Sequence, residues 1–149
     1  MKDRVVLIIA AAALMIGGSA ACSSEGLSAK QEAGTLAPGT AKLTIDGKDL
    51  PTTRFVHCAP PEQYMTTITT GDDASGATVM VSNAGRLTVE LVRIRNLDGF
   101  SGDYNRGLGG GDATVALTEN TYNIAGAASG YGTKSPEPTT APFTIKVSC

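Results

Sequence analysis

The last seven residues, Phe143-Thr144-Ile145-Lys146-Val147-Ser148-Cys149, alternate apolar and polar without a break. Successive side chains of a strand point to opposite faces, so this run is a half-buried antiparallel strand with one wet face. It places Cys149 on the inner face beside Val147. A second short run, residues 52–58, puts Cys58 on the same face as Val56 and stops at Ala59-Pro60-Pro61, which no central strand tolerates. A chain with such ends is constrained to a sheet whose inner face carries two cysteines. They are plausible partners if their Cα atoms come within about 4.4–6.8 Å.

The rest of the chain from Ala41 onward has the same period. Residues 42–45 lead into Asp46-Gly47, a tight-turn dipeptide. Residues 64–70 form a threonine-rich strand that ends at Gly71-Asp72-Asp73, and residues 77–82 form another, which turns at Asn83-Ala84-Gly85. Within residues 87–96, Leu87, Val89 and Leu91 share one face while Val92 and Ile94 continue on the other. That switch of parity predicts a β-bulge or a strand covered on both sides. Residues 113–117 and 122–126 pattern as a hairpin. Seven to nine short strands with no convincing helix predict an all-β domain, a small antiparallel β-sandwich over residues 41–149. With no tryptophan, 5% aromatics and 18 glycines, its core must be mainly aliphatic.

The N-terminal segment has a different logic. Met1-Lys2-Asp3-Arg4 is a charged start, residues 5–16 are a continuous apolar run, and Gly17-Gly18-Ser19-Ala20-Ala21 supplies small residues. This is the layout of an export signal over residues 1–21, too short for a membrane-spanning helix. Cleavage before Cys22 has two readings. Ser19-Ala20-Ala21-Cys22 follows the lipobox pattern, with Ser19 where an aliphatic residue usually stands, and the Cys22 thiol would then carry diacylglycerol. Ordinary signal cleavage at the same bond would leave Cys22 a free thiol. Three cysteines in an exported chain leave one over. A Cys58–Cys149 pair would release Cys22 for the lipid. Residues 22–40, small and polar with Gly34, Pro38 and Gly39, read as the lipidated N-terminus and a flexible tether.

Taken together, Ile45-Asp46-Gly47-Lys48-Asp49, the Cys58 strand, the closing Phe-x-Ile-x-Val-x-Cys strand and the Cys-Ser-Ser after a small-residue lipobox resemble the mycobacterial LpqH-type lipoprotein antigens. The resemblance implies a non-enzymatic, immunogenic β domain. It would be held by its lipid anchor on the extracytoplasmic face of the cell membrane, displayed at the surface or shed. By position it assigns Cys22 to acylation and Cys58 with Cys149 to a disulfide. Host lipopeptide receptors are the partners it implies.

Other chemistry is sparsely represented. His57 is the single histidine, with no G-x-S-x-G elbow to serve, so no catalytic residue is expected. Asp72-Asp73 and Asp46 with Asp49 lack the spacing of a calcium loop and read as turn aspartates, so no metal site is expected. The glycine-rich 107–111 has no following lysine or helix start and predicts a mobile connection. Arg93 and Arg95 share a face, which reads as a solvated face in preference to an anionic-ligand or salt-bridge patch. A formal net charge of −2 gives no footprint for nucleic acid, and no cofactor is expected. A rival reading, a lipid or glycolipid carrier, requires a cavity between the sheets lined by Leu87, Val89, Leu91 and Phe143. A secreted enzyme is a further alternative, with no convergent polar set to support it.

Overall fold

The structure is a computed structural model that describes residues 34–149. It contains ten strands: β1 (Ala41–Ile45), β2 (Lys48–Asp49), β3 (Val56–Cys58), β4 (Met65–Gly71), β5 (Gly76–Ser82), β6 (Thr88–Leu97), β7 (Phe100–Asn105), β8 (Ala113–Thr118), β9 (Thr121–Gly132) and β10 (Ser135–Ser148). Every ladder is antiparallel, in the order β2-β1-β10-β9-β7-β6-β5-β4-β3, with β8 attached to β9 beside that path. The two ends of the path approach each other. Ala41 exchanges two backbone hydrogen bonds with Thr53, each 2.9 Å, and the Gly71 N–H donates to the Phe55 carbonyl. Residues 53–58 thus run from β1 across to β4, and the long sheet folds into a sandwich-like domain.

Alternation fills the core as the sequence predicts. Ala141, Phe143, Ile145 and Val147 of β10 are buried between wetter neighbours. They pair across the ladder with β1 in the register Ile45↔Phe143, Leu43↔Ile145 and Ala41↔Val147. Ile68, Val79, Val81, Val92 and Ile94 complete an aliphatic core with them. In β6 the pairing slips between Met80↔Leu91 and Val81↔Val89, which leaves Glu90 as an extra residue. This bulge accounts for the parity switch: Val89, Val92 and Ile94 all turn inward because one residue is inserted between them.

The strand count is ten rather than seven to nine. Phe100–Asn105 is a strand although Gly102 and Asp103 interrupt its pattern, and the two-residue β2 adds another. The hairpin β9–β10 also runs much further than its apolar segments. On its other side Gly130 of β9 allows β7 to approach closely, since a Cβ at this position would lie 2.0 Å from the Ser101 carbonyl oxygen.

The ladder directions give the domain two distinct ends. At one, the Gly39 N–H donates to the Ser148 carbonyl, the Ser148 N–H donates to the Thr40 carbonyl, and the Leu36 N–H donates to Thr121 Oγ1 at 3.1 Å. Thr35 and Thr40 are buried, so the chain is already held to the domain ahead of residue 41, where the tether was expected to end. At the other end lie the turns at 46–47, 72–75, 98–99 and 133–134.

Candidate functional site

Cys58 closes β3 and Cys149 follows the last rung of β10. The sheet's folding brings them together as a disulfide with a Cα separation of 6.0 Å, across 91 positions of sequence. The Cys149 N–H also donates to the Asn120 carbonyl at 3.0 Å, which seats the final residue against the β8–β9 turn. Cys22, the residue expected to carry the lipid, lies outside the described residues, as do the export signal and residues up to 33.

The remaining polar candidates are occupied locally. His57 is exposed on β3 opposite Thr69, with its side chain on the face away from Cys58. Among the described residues no three His, Cys, Asp or Glu side chains gather as a metal set. Asp72 Oδ1 accepts the N–H groups of Ser75 at 2.8 Å and Ala74 at 2.9 Å. Those two hydrogen bonds, helped by Arg95, hold its carboxyl below the ordinary aspartate value. Asp49 is lowered likewise, chiefly by the Thr44 hydroxyl at 2.7 Å and then by Lys42. Arg93 bridges to Asp103 at 3.0 Å, while Arg95 donates to Thr78 at 2.9 Å and to the Asp72 carbonyl at 3.2 Å. Arg93 is thus in a salt bridge, while Arg95 is held by hydrogen bonds to a hydroxyl and a backbone carbonyl. Residues 107–111 form a glycine-rich connection, with positive φ at Gly107, Gly109, Gly110 and Gly111.

The turn end holds a feature the sequence reading does not single out. Asp46-Gly47 and Asp98-Gly99 both have positive φ at both residues, 49° and 77° in the first, 48° and 81° in the second. They are paired turns of the type that suits a hairpin. Lys48 Nζ reaches Asp98 Oδ1 at 2.6 Å and ties one turn to the other. Shallow clefts flank this tie. One, of about 210 Å³, has a floor of Ile45, Leu97 and Phe100 under a rim of Thr133, Lys134 and Thr139. The other, of about 270 Å³, lies among Leu43, Leu50, Pro51, Phe55 and Leu97. The signal for this end was available, because Asp98-Gly99 is the same dipeptide as Asp46-Gly47.

The cavity that a carrier would need is not built from its expected lining. Val89 and Phe143 are 1% and 3% exposed within the packed core, and Leu91 lies on the other side of the bulge from Val89.

Residues 34–149 match the Mycobacterium 19 kDa lipoprotein antigen family. The chain belongs to that family. Over the whole of this chain and 97% of the relative's length, it is 38% identical to a putative lipoprotein of Mycobacterium avium subsp. hominissuis. It is 35% identical to the probable lipoprotein LppE of Mycobacterium tuberculosis, over 91% of this chain and 90% of LppE. Lipoprotein LpqH of the same species is 30% identical over 100% of this chain and 99% of its own. The 19 kDa antigen family is a lipoprotein family and not an enzyme family. Its match covers the same residues that the structure describes, so the β domain with its disulfide is the matched unit.

Proposed function

We propose that this member of the 19 kDa antigen family is a cell-envelope lipoprotein. Residues 1–21 direct export and are removed, Cys22 becomes an acylated N-terminus, and the following segment tethers the β domain to the extracytoplasmic face of the membrane. The domain is non-enzymatic and acts by display, with host interaction or adhesion as its role and host lipopeptide receptors as partners of the acylated end. The cysteine pairing carries the reading. Cys58 and Cys149 occupy each other, which leaves Cys22 as the one thiol without a partner from the chain's own three cysteines. The domain geometry also suits a tether, because the chain enters at the end opposite the turns at 46–47, 72–75, 98–99 and 133–134.

Intact mass of the membrane fraction, measured before and after reduction, tests this. The expected species begins at Cys22, carries a diacylglyceryl group, and gains two hydrogens on reduction as the disulfide opens. An unmodified Cys22 on soluble, secreted protein would falsify the anchor while leaving the β domain intact.

A further inference from the structure

Asp46-Gly47 and Asp98-Gly99 are the same dipeptide in the same kind of turn, one joining β1 to β2 and the other β6 to β7. An aspartate followed by glycine can rearrange. The glycine amide nitrogen bonds to the aspartate Cγ, and a carboxyl oxygen leaves as water with the amide proton. Water then opens the resulting succinimide at its α-carbonyl, and the main chain runs on through the former side chain as isoaspartate. Nothing is oxidised or reduced, and the final mass is unchanged. Glycine permits the step because it has no Cβ to crowd the attacking nitrogen.

The aspartate Cγ must swing onto the next nitrogen, so the reaction runs fastest where carboxylate and glycine are both free. The two turns differ on both counts. Asp98 Oδ1 is held by Lys48 Nζ at 2.6 Å. Gly99 is half-buried, and Thr133 is packed so closely over it that a Cβ there would lie 2.6 Å from Thr133 Cγ2. Asp46 and Gly47 are exposed, and nothing lies within 4 Å of a Cβ placed on Gly47. Among the described residues no hydrogen bond or ion pair engages the Asp46 carboxylate.

We propose that Asp46 is a site of spontaneous isomerisation to isoaspartate, and that the Lys48 contact shields Asp98 from the same reaction. The product acts on the tie between the turns. Isoaspartate at 46 adds a methylene to the main chain inside a two-residue turn whose flanking residues, Ile45 and Lys48, are a matched pair. Loop length fixes the register of such a hairpin, so Lys48 leaves its place and Asp98 is released. The two conversions are therefore ordered, Asp46 first and Asp98 after it.

Trypsin reports the sites separately, Asp46 in residues 43–48 and Asp98 in residues 96–106. The full disulfide-bonded protein is aged at neutral pH and body temperature and then digested. Isoaspartate in each peptide is resolved by chromatography and located by electron-transfer fragmentation. Asp46 should convert about fivefold faster than Asp98, the ratio that the upper worth of an exposed ion pair allows. In urea, with the disulfide reduced, the two rates should converge. Lys48→Ala, with Asp46 then read in residues 43–54, should speed Asp98 by about the same factor, and Lys48→Arg should keep it slow. Protein isolated with isoaspartate at 46 should convert Asp98 as fast as the Lys48→Ala variant does. No isoaspartate at 46, equal rates in the folded protein, or a native ratio that persists in urea overturns the proposal. An Asp98 rate indifferent to Lys48→Ala overturns the shielding, and a slow Asp98 beside isoaspartate at 46 overturns the order.

Discussion

At one margin of the sheet, Val56–Cys58 is a three-residue strand held by β4 on one side and by a covalent bond from Cys58 to the far end of β10. At another, Ala113–Thr118 is twice as long, carries no charge and is hydrogen-bonded to β9 alone, with Ala113 and Val115 packed against the core. The first has little backbone to offer a partner and cannot peel, because its last residue is stapled. One chain therefore contains two ways of holding a strand at a margin, a covalent staple and a single ladder, and the one-sided pairing is not a general looseness of the domain. It is confined to the strand that follows the glycine-rich connection at 107–111.

The largest effect should come from removing the staple. The Cys58→Ser, Cys149→Ser double variant opens a loop of 91 positions, for which chain entropy predicts a loss of about 4–5 kcal/mol. Urea unfolding measures it. A loss under about 1 kcal/mol would mean that the Ala41–Thr53 bonds alone hold this margin, and the contrast with β8 would collapse. Gly130→Ala comes next. Its new Cβ would meet the Ser101 carbonyl at 2.0 Å and force β7 from β9, at about 1–3 kcal/mol. Gly132→Ala, where nothing lies within 4 Å, should stay within about 0.5 kcal/mol of the parent. Equal losses would show that β9 tolerates separation from its neighbours, as β8 does.

Leu117→Ala should cost no more than about 0.5 kcal/mol, because the residue is exposed at the surface. Ile145→Ala in the core should cost about 2–5 kcal/mol by the same unfolding measurement. A large loss at Leu117 would move β8 from an accessory edge into the cooperative core. The smallest effect is in pH. The folded Asp72 carboxyl sits below its ordinary value of 3.8, so its contribution is complete above that value and is lost as pH falls through the lower folded one. Acid unfolding of Asp72→Asn should lack this step, and the difference should be slight because the group is in water.

The fold was legible wherever alternation was strict. In Phe143 to Val147 every inward residue is aliphatic or aromatic, and β10 and its partner β1 follow directly; strict alternation ends there, since Ser148 is buried and Cys149 exposed. The parity switch in residues 87–96 also resolved correctly into a bulge at Glu90. Alternation fails where strands are held by backbone more than by side chains. β7 buries only Phe100 and Tyr104, and β9 beyond Gly126 reads Ala-Ala-Ser-Gly-Tyr-Gly. Opposite it, β10 begins with Pro136 and Pro138 inside an interrupted register. These segments pair because glycines admit close approach, which propensity scores against. Cys58 and Cys149 were legible from their faces. That β8 pairs with β9 alone was not, since a hairpin pattern shows that two strands pair but says nothing of what lies on the outer side.

The entry point of the chain has a mechanical consequence. Traction applied through the proposed tether would reach the domain at Thr35 and Leu36 and then run along β1, whose five residues are each matched to β10 from Ala41↔Val147 to Ile45↔Phe143. Pulled lengthwise, these rungs share the load and must slide together; they cannot open one after another. The strand that takes up this load is itself followed by Cys149, bonded to Cys58. Under the proposed anchor, a tug from the membrane side would be borne in shear by the stapled part of the sheet, with β8 outside the line of force.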